Sequence, residues 1–251
     1  MEVLNKSSLM RATKFEFEQR FWIFGAIFWM AFSLSLVDHT NFALALFHLV
    51  APSIDPDSDR GKNLLHLIFG IAALLVALAA LLRTWATAYL RTEVVHDASQ
   101  HSEALVADGP YRYVRNPLYL ANLPMAAGIG FLASRLGWVA LVVMMWLFVY
   151  RLIIREEDGL LQTQGEPYAA YLRAVPRLWP SLTPRVPAGA GQPRWGQAFA
   201  GEVFFWFFAV AILCFAITLS LKLTAILFVA SFPVYFISVY LVKKRSAASN
   251  G

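Results

Sequence analysis

The sequence predicts an all-α integral membrane protein with about six transmembrane helices and two cytoplasmic polar segments. Of its 251 residues, 59% are hydrophobic and only 15% are charged, whereas soluble domains carry about 25% charged residues. The apolar residues fall into blocks, several close to the roughly 20 residues that cross a bilayer as a helix. Backbone groups in lipid must be satisfied internally, and the alternation of a membrane barrel is not visible, so the blocks are predicted as helices.

Six apolar blocks give the predicted spans. They comprise residues 21–37, 64–82, 117–134, 138–154, 199–219 and 223–242. The stretch 42–52 is too short to span and is expected to lie at the interface or to dip back. The first block is longer than the apolar region of a signal peptide and lacks a clear cleavage site, so we expect it to be retained.

We predict that the whole chain, residues 1–251, is one membrane domain. Its parts are N-terminal spans (18–104), a central segment (105–180) and a C-terminal helical hairpin (198–243).

The distribution of basic residues predicts the orientation. Of the 21 lysines and arginines, six spans leave all but four on one side. The four on the other side are Arg60, Lys62, Arg135 and Lys222. The richer side should be cytoplasmic, and it contains both termini and both polar segments. The alanine, leucine and arginine bias further suggests a bacterial inner membrane.

Several other classes of function are disfavoured. The net charge of +5 does not indicate nucleic-acid binding, because the basic residues flank apolar blocks and form no single stripe. Cys214 is the only cysteine, which excludes an intrachain disulfide and a cysteine-cluster metal site. The acidic loop 55–61 lacks the glycine spacing of a calcium loop, and His96 and His101 lack zinc spacing. We therefore expect no metal and no nucleic acid.

The first polar segment ends in the run Gly109-Pro110-Tyr111-Arg112-Tyr113-Val114-Arg115-Asn116-Pro117-Leu118-Tyr119. Proline suits a first helical turn, so Arg115 and Asn116 should lie beside a helix N-terminus, which attracts carboxylates. A positive anchor with interfacial tyrosines is the alternative.

The second polar segment begins with Arg155-Glu156-Glu157-Asp158 at a membrane boundary. Adjacent acids there are costly unless they are paired or solvated, and they could bind an ammonium group. A short amphipathic helix should follow and end at prolines; a solvated surface helix is the alternative. Because the third and fourth spans form a hairpin, these acids should lie near Arg115 and Asn116. The opposed charges suit a zwitterionic ligand.

These motifs, with their spacing, resemble the isoprenylcysteine carboxyl methyltransferase superfamily, which includes phospholipid N-methyltransferases. The resemblance covers roughly residues 105–180, and the matching positions lie in both polar segments. They are Leu105-Val106, Gly109-Pro110-Tyr111, Arg115-Asn116-Pro117-Leu118-Tyr119, Glu156-Glu157, Gly165, Tyr168, Tyr171 and Pro176-Arg177. Members of the superfamily are membrane enzymes that use S-adenosylmethionine without a soluble Rossmann domain.

The resemblance implies roles for these residues. Those that would bind S-adenosylmethionine are Leu105, Val106, Gly109, Pro110, Tyr111, Arg115, Asn116, Pro117, Tyr119, Glu156 and Glu157. One of the two glutamates would hold the ammonium group of the cofactor. Those that would line the acceptor pocket, as catalytic residues, are Arg155, Tyr168, Tyr171 and Arg173.

Asn116 departs from the pattern, because carboxyl methyltransferases usually have histidine there and the phospholipid branch has Asn-Pro followed by an aromatic residue. The predicted function is methyl transfer to a lipophilic acceptor or membrane lipid, with a carboxylate favoured and lipid N-methylation as the alternative. A membrane reductase that uses NADPH and a non-enzymatic binding protein are alternatives of other classes. The paired glutamates disfavour the first, and the nearly uncharged spans disfavour the second.

The last two spans lie outside the resemblance. Glu202 begins the fifth span and could be interfacial or could face the pocket, while the aromatic run 204–208 is explained by an interfacial belt. Gly128 and Gly130 are expected to permit close helix packing.

Overall fold

The computed structural model describes residues 10–90, 107–189 and 191–249, and side-chain surroundings there except at 235–236 and 238–249. Within these ranges the chain is all-α, as predicted, and its ten helices are numbered in chain order. They are α1 (Lys14–Glu18), α2 (Arg20–Ser33), α3 (Phe42–Val50), α4 (Asp59–Tyr89), α5 (Pro117–Ile129), α6 (Arg135–Gln164), α7 (Glu166–Ala174), α8 (Trp195–Gly201), α9 (Val203–Thr218) and α10 (Leu221–Ser249). Leu105, Val106, His96 and His101, considered above, lie outside the described residues.

Two helices, α4 and α6, are long and apolar enough to cross a membrane. The pair α8 and α9 makes a third candidate if its 64° bend belongs to one span. The apolar helices Arg20–Leu36 and Pro117–Leu132 are shorter, and in α10 the apolar stretch with described side chains is Leu221–Val234. The helices coincide with the six apolar blocks, but the count of six spans stays a prediction.

Helix α4 lies at the centre, where it packs against α5 and α9, while α6 packs against α2 and α5. A Cβ atom on Gly128 would lie 2.7 Å from the carbonyl oxygen of Ala72. The absence of a side chain at Gly128 therefore lets α5 approach the backbone of α4, in agreement with the packing role expected for this glycine.

The contacts between helix ends define two ends of the bundle. At one end, the N–H of Ala12 donates to the carbonyl of Arg151, 3.1 Å away. At the other end, Arg135 pairs with Asp38 at 3.1 Å, and the hydrogen bonds from Arg135 and the Leu136 N–H lower the pKa of Asp38 to about 2. We call the first the Arg151 end; the described parts of both polar segments lie there, on the side predicted to be cytoplasmic.

Candidate functional site

The turn before α5 depends on a glycine. Gly109 has a φ of +56°, which suits a residue without a side chain, and a Cβ there would lie 2.3 Å from the Tyr89 ring. Pro110 and Tyr111 follow and are buried. Burial raises the pKa of Tyr111, and the negative charge of Glu156 raises it further. This turn therefore places a protonated phenol close to Glu156 of α6.

Glu157 is the centre of a buried ion cluster. Its Oε1 accepts hydrogen bonds from Arg115 Nε at 2.9 Å and from Asn116 Nδ2 at 2.9 Å. Its Oε2 accepts from Arg177 Nε at 2.9 Å. The residue is 3% exposed. A buried carboxylate needs such partners. We call Glu157, Arg115, Asn116 and Arg177 the Glu157 cluster. The cationic and acidic segments meet, as their spacing predicted.

Arg115 also joins the backbone of the second polar segment. Its Nη1 donates to the carbonyls of Leu172 and of Val175, the latter at 2.9 Å, and its backbone N–H donates to Pro176 at 2.9 Å. A guanidinium group has five N–H donors. Arg115 uses four of them: two to the carbonyls of Leu172 and Val175, and two to Glu157. Arg115 therefore fixes α7 and the chain after it against α6.

Glu156 has different surroundings from its neighbour. It is half-buried and accepts a hydrogen bond from the hydroxyl of Tyr119, in the first turn of α5. Arg20 lies close enough to Tyr119 to interact with it electrostatically. Tyr111 interacts in the same way with Glu156. The two adjacent glutamates thus point to different groups: Glu157 to the guanidinium groups, and Glu156 to Tyr119 of α5.

The two tyrosines of α7 are buried beside the same turn. Tyr168 and Tyr171 are 4% and 5% exposed, and the Tyr171 hydroxyl donates to the carbonyl of Tyr111 at 2.8 Å. Burial raises the pKa of both tyrosines well above the ordinary value. Both hydroxyls therefore stay protonated at neutral pH and can donate hydrogen bonds.

Two predicted acceptor residues lie elsewhere. Arg155 donates to the carbonyl of Ala12 at 3.0 Å, on the face of α6 where Arg151 binds Glu16. Arg173 forms an exposed pair with Glu166. The structure therefore does not bring these arginines together with Tyr168 and Tyr171, and their proposed roles stay predictions.

A second buried ion cluster was not predicted from the sequence, although Glu202 itself was considered. Glu202, 1% exposed, accepts from Arg83 Nε at 2.6 Å and from Thr87 Oγ1 at 2.7 Å. Arg83 also donates to Asn122 at 3.2 Å and lies 3.8 Å from the centre of the Phe205 ring. We call these residues the Glu202 cluster. The detectable signal is a cation and an acid at the same end of two antiparallel apolar blocks.

Comparison with known proteins adds a family to this geometry. Residues 67–164 match the family of phospholipid methyltransferases. The cobalt-zinc-cadmium resistance protein CzcN of Cupriavidus metallidurans is 30% identical over 117 residues, which cover 47% of this chain and 51% of that protein. The nickel-cobalt-cadmium resistance protein NccN of Alcaligenes xylosoxydans is 29% identical over 108 residues, which cover 43% of this chain and 47% of that protein.

The chain thus spans about half the length of the curated relatives it matches. No solved structure matches. The family match includes the Gly109 turn, Arg115, Asn116 and both glutamates of α6. It confirms the resemblance predicted from the motifs: residues 67–164 match the phospholipid methyltransferase family, which belongs to the isoprenylcysteine and phospholipid methyltransferase superfamily.

Proposed function

We propose that the chain transfers a methyl group from S-adenosylmethionine to a lipophilic acceptor at the cytoplasmic surface of the membrane. The observation that carries the proposal is the position of Glu156 and Tyr119. They lie within the family-matched region, at the end of the bundle where the two long apolar helices bring both polar segments together.

The side chains there suit the amino-acid part of the cofactor. Glu156 offers a carboxylate to an ammonium group, with the Tyr119 hydroxyl already bonded to it. The first turn of α5 has N–H groups outside the helical hydrogen-bond pattern, which suit a carboxylate. Glu157 fits this role less well, because both its oxygens accept hydrogen bonds within the protein. We therefore assign the ammonium group to Glu156.

S-adenosylmethionine, when bound, would supply a methyl group on a positively charged sulfur. Transfer to a carboxylate would form a C–O bond as the C–S bond breaks, and it would release no proton. Transfer to an ammonium group would first require deprotonation. The buried Tyr111, Tyr168 and Tyr171 stay protonated, so they are donors and not bases. This favours a carboxylate over an amine, and positioning would supply most of the rate.

Binding of S-adenosylhomocysteine tests this proposal. The protein in detergent should bind it in the micromolar range, about −8 kcal/mol, and should bind NADPH far more weakly. Calorimetry on folded protein separates the two enzyme classes. Binding of NADPH without S-adenosylhomocysteine would support the reductase alternative, and binding of neither would contradict both.

The six-span topology, with a cytoplasmic site and both termini inside, is part of the proposal. Helix α6 has 30 residues, about 45 Å at 1.5 Å per residue, so its Arg151 end should extend beyond a hydrocarbon core of about 30 Å. Cysteines at Asp57 and Gln162, both exposed, should be labelled from opposite sides of sealed vesicles. Labelling from one side would contradict the topology.

The names of the two relatives suggest a cellular setting. Both are named for resistance to metals that include cobalt and cadmium, so the methylated lipid or acid could serve the same resistance here. Expression in a metal-sensitive bacterium should raise tolerance to cobalt, and Glu156→Gln should abolish the gain. Equal tolerance with parent and variant would separate the metal phenotype from methyl transfer.

A further inference from the structure

The chain between α7 and α8 contains two large apolar side chains that are highly exposed. Trp179 is 83% exposed and Leu182 is 100% exposed. Leu178, next to the tryptophan, is buried in the core with α6. A segment that buries one apolar residue and exposes its neighbours to this degree presents them to something outside the protein.

The segment is held in place by hydrogen bonds to Arg112 and Tyr113 of the first polar segment. The Ser181 N–H donates to the carbonyl of Tyr113 at 3.0 Å, and the Arg185 N–H donates to that of Arg112 at 2.8 Å. Arg112 Nε in turn donates to the carbonyl of Val186 at 3.0 Å. Trp179 and Leu182 are therefore fixed relative to Arg112 and Tyr113.

The exposed stripe of α4 leads to the same place. The apolar residues that share this outer face are Leu67, Ile71, Leu74, Leu78, Leu81 and Trp85. Their spacing of three and four residues makes one continuous helical face, which a bilayer would cover. The stripe ends at Trp85, whose ring centre lies 6.0 Å from that of Tyr113. Because Ser181 is bonded to Tyr113, the exposed segment continues the lipid-facing surface of α4.

We propose that residues 179–185 form a membrane-interface anchor, in which Trp179 and Leu182 insert into the boundary between headgroups and acyl chains of the leaflet around α4. Tryptophan is enriched at that depth. Arg185 is exposed in the same segment, and a cation there suits the phosphates of anionic lipids. The inference rests on the proposed topology and not on methyl transfer.

Three single cysteines test the anchor in full-length protein with Cys214→Ser, reconstituted into vesicles of phosphatidylethanolamine and phosphatidylglycerol. Each carries an environment-sensitive fluorophore: Leu182 is the test, Leu78 is the lipid control, and Gln162 is the water control at the same end. Headgroup-level nitroxide lipids should quench the Leu182 label roughly threefold more than the Gln162 label. Iodide should show the opposite order.

Each other outcome has a distinct meaning. If the Leu182 label behaves like the Gln162 label while the Leu78 label is quenched by lipid, the segment lies in water and the anchor is overturned. If the Leu182 label is protected from both quenchers, a second copy or another protein covers it, which also overturns the anchor. If the Leu78 label is itself accessible to iodide, the topology fails and the anchor fails with it. S-adenosylhomocysteine binding in detergent is independent of all three outcomes.

Discussion

Two buried carboxylates stabilise the Arg151 end of the bundle, and they differ in what they join. In the Glu157 cluster, one acid binds two guanidinium groups and an amide, from the two polar segments. In the Glu202 cluster, one acid binds one guanidinium and one hydroxyl from α4. The first joins the polar segments around the motif, and the second joins the C-terminal hairpin to α4.

The two clusters also differ in how their acids lie relative to the family-matched region. Glu157, Arg115 and Asn116 lie inside the family-matched residues 67–164, whereas Glu202 lies beyond them. Arg177 also lies beyond that region; burial lowers its pKa, but the hydrogen bond that it donates to Glu157 raises it, and the net shift is upward. The polar segments should therefore depend on the first cluster and the hairpin on the second.

Loss of the Glu157 charge should have the largest effect. Glu157→Gln leaves Arg115 and Arg177 without their anion, and breaking a buried ion pair costs about 3–5 kcal/mol. We expect the upper part of that range, measured as the free energy of unfolding in detergent. Asp57→Asn, an exposed acid at the opposite end, is the control. A stability equal to that of the parent would mean that solvent compensates the guanidinium groups.

The Glu202 cluster should be the weaker of the two. Glu202→Gln leaves one guanidinium, which still has Asn122 and the Phe205 ring beside it, so we expect a loss of about 3 kcal/mol. Replacing the pair together, Arg83→Met with Glu202→Leu, should recover most of the stability, because apolar side chains can replace a buried pair.

The free energy of unfolding in detergent measures both changes. A double variant less stable than Glu202→Gln would show that the cluster does more than neutralise its own charges.

The sequence predicted the meeting of the polar segments but not the partners within it. A span of suitable length returns the chain to the same end, so the approach of Arg115 to the acidic pair followed from the hairpin alone. The direction of each glutamate did not follow, because adjacent helical residues differ by about 100° around the axis. Which of them meets Arg115 depends on the rotation of α6, which tertiary packing determines.

The limits of the span prediction have a similar cause. Apolar blocks were recognised by composition, whereas α4 and α6 extend through polar residues that hydropathy assigns to loops. Arg83 illustrates this: it ended an apolar block in the sequence but lies within α4, where Glu202 neutralises it. The hydropathy pattern of one helix does not show which residue from another part of the chain will neutralise a charge within it.

The adjacent Glu156 should affect binding more than folding. Glu156→Gln keeps the size and a hydrogen-bond acceptor for Tyr119 but removes the charge proposed to hold the ammonium group. We expect S-adenosylhomocysteine to bind at least tenfold more weakly, about 1.4 kcal/mol, while the unfolding free energy changes little. Calorimetry with Asp57→Asn as control measures the affinity. Unchanged affinity would remove the assigned role of Glu156 even in an active methyltransferase.

Arg173 should give the smallest effect on stability, and this makes it informative about the acceptor. Its pair with Glu166 is exposed, with side chains 66% and 77% accessible, and exposed pairs contribute about 0–1 kcal/mol. Arg173→Gln should therefore leave both the unfolding free energy and S-adenosylhomocysteine affinity within error of the parent. If the predicted acceptor role is right, KM for a lipophilic carboxylate should nevertheless rise, since a cation that attracts the acceptor has been lost. Glu166→Gln is the matched control, because it breaks the same pair and keeps the cation. Equal KM values for the parent and both variants would exclude Arg173 from the acceptor site.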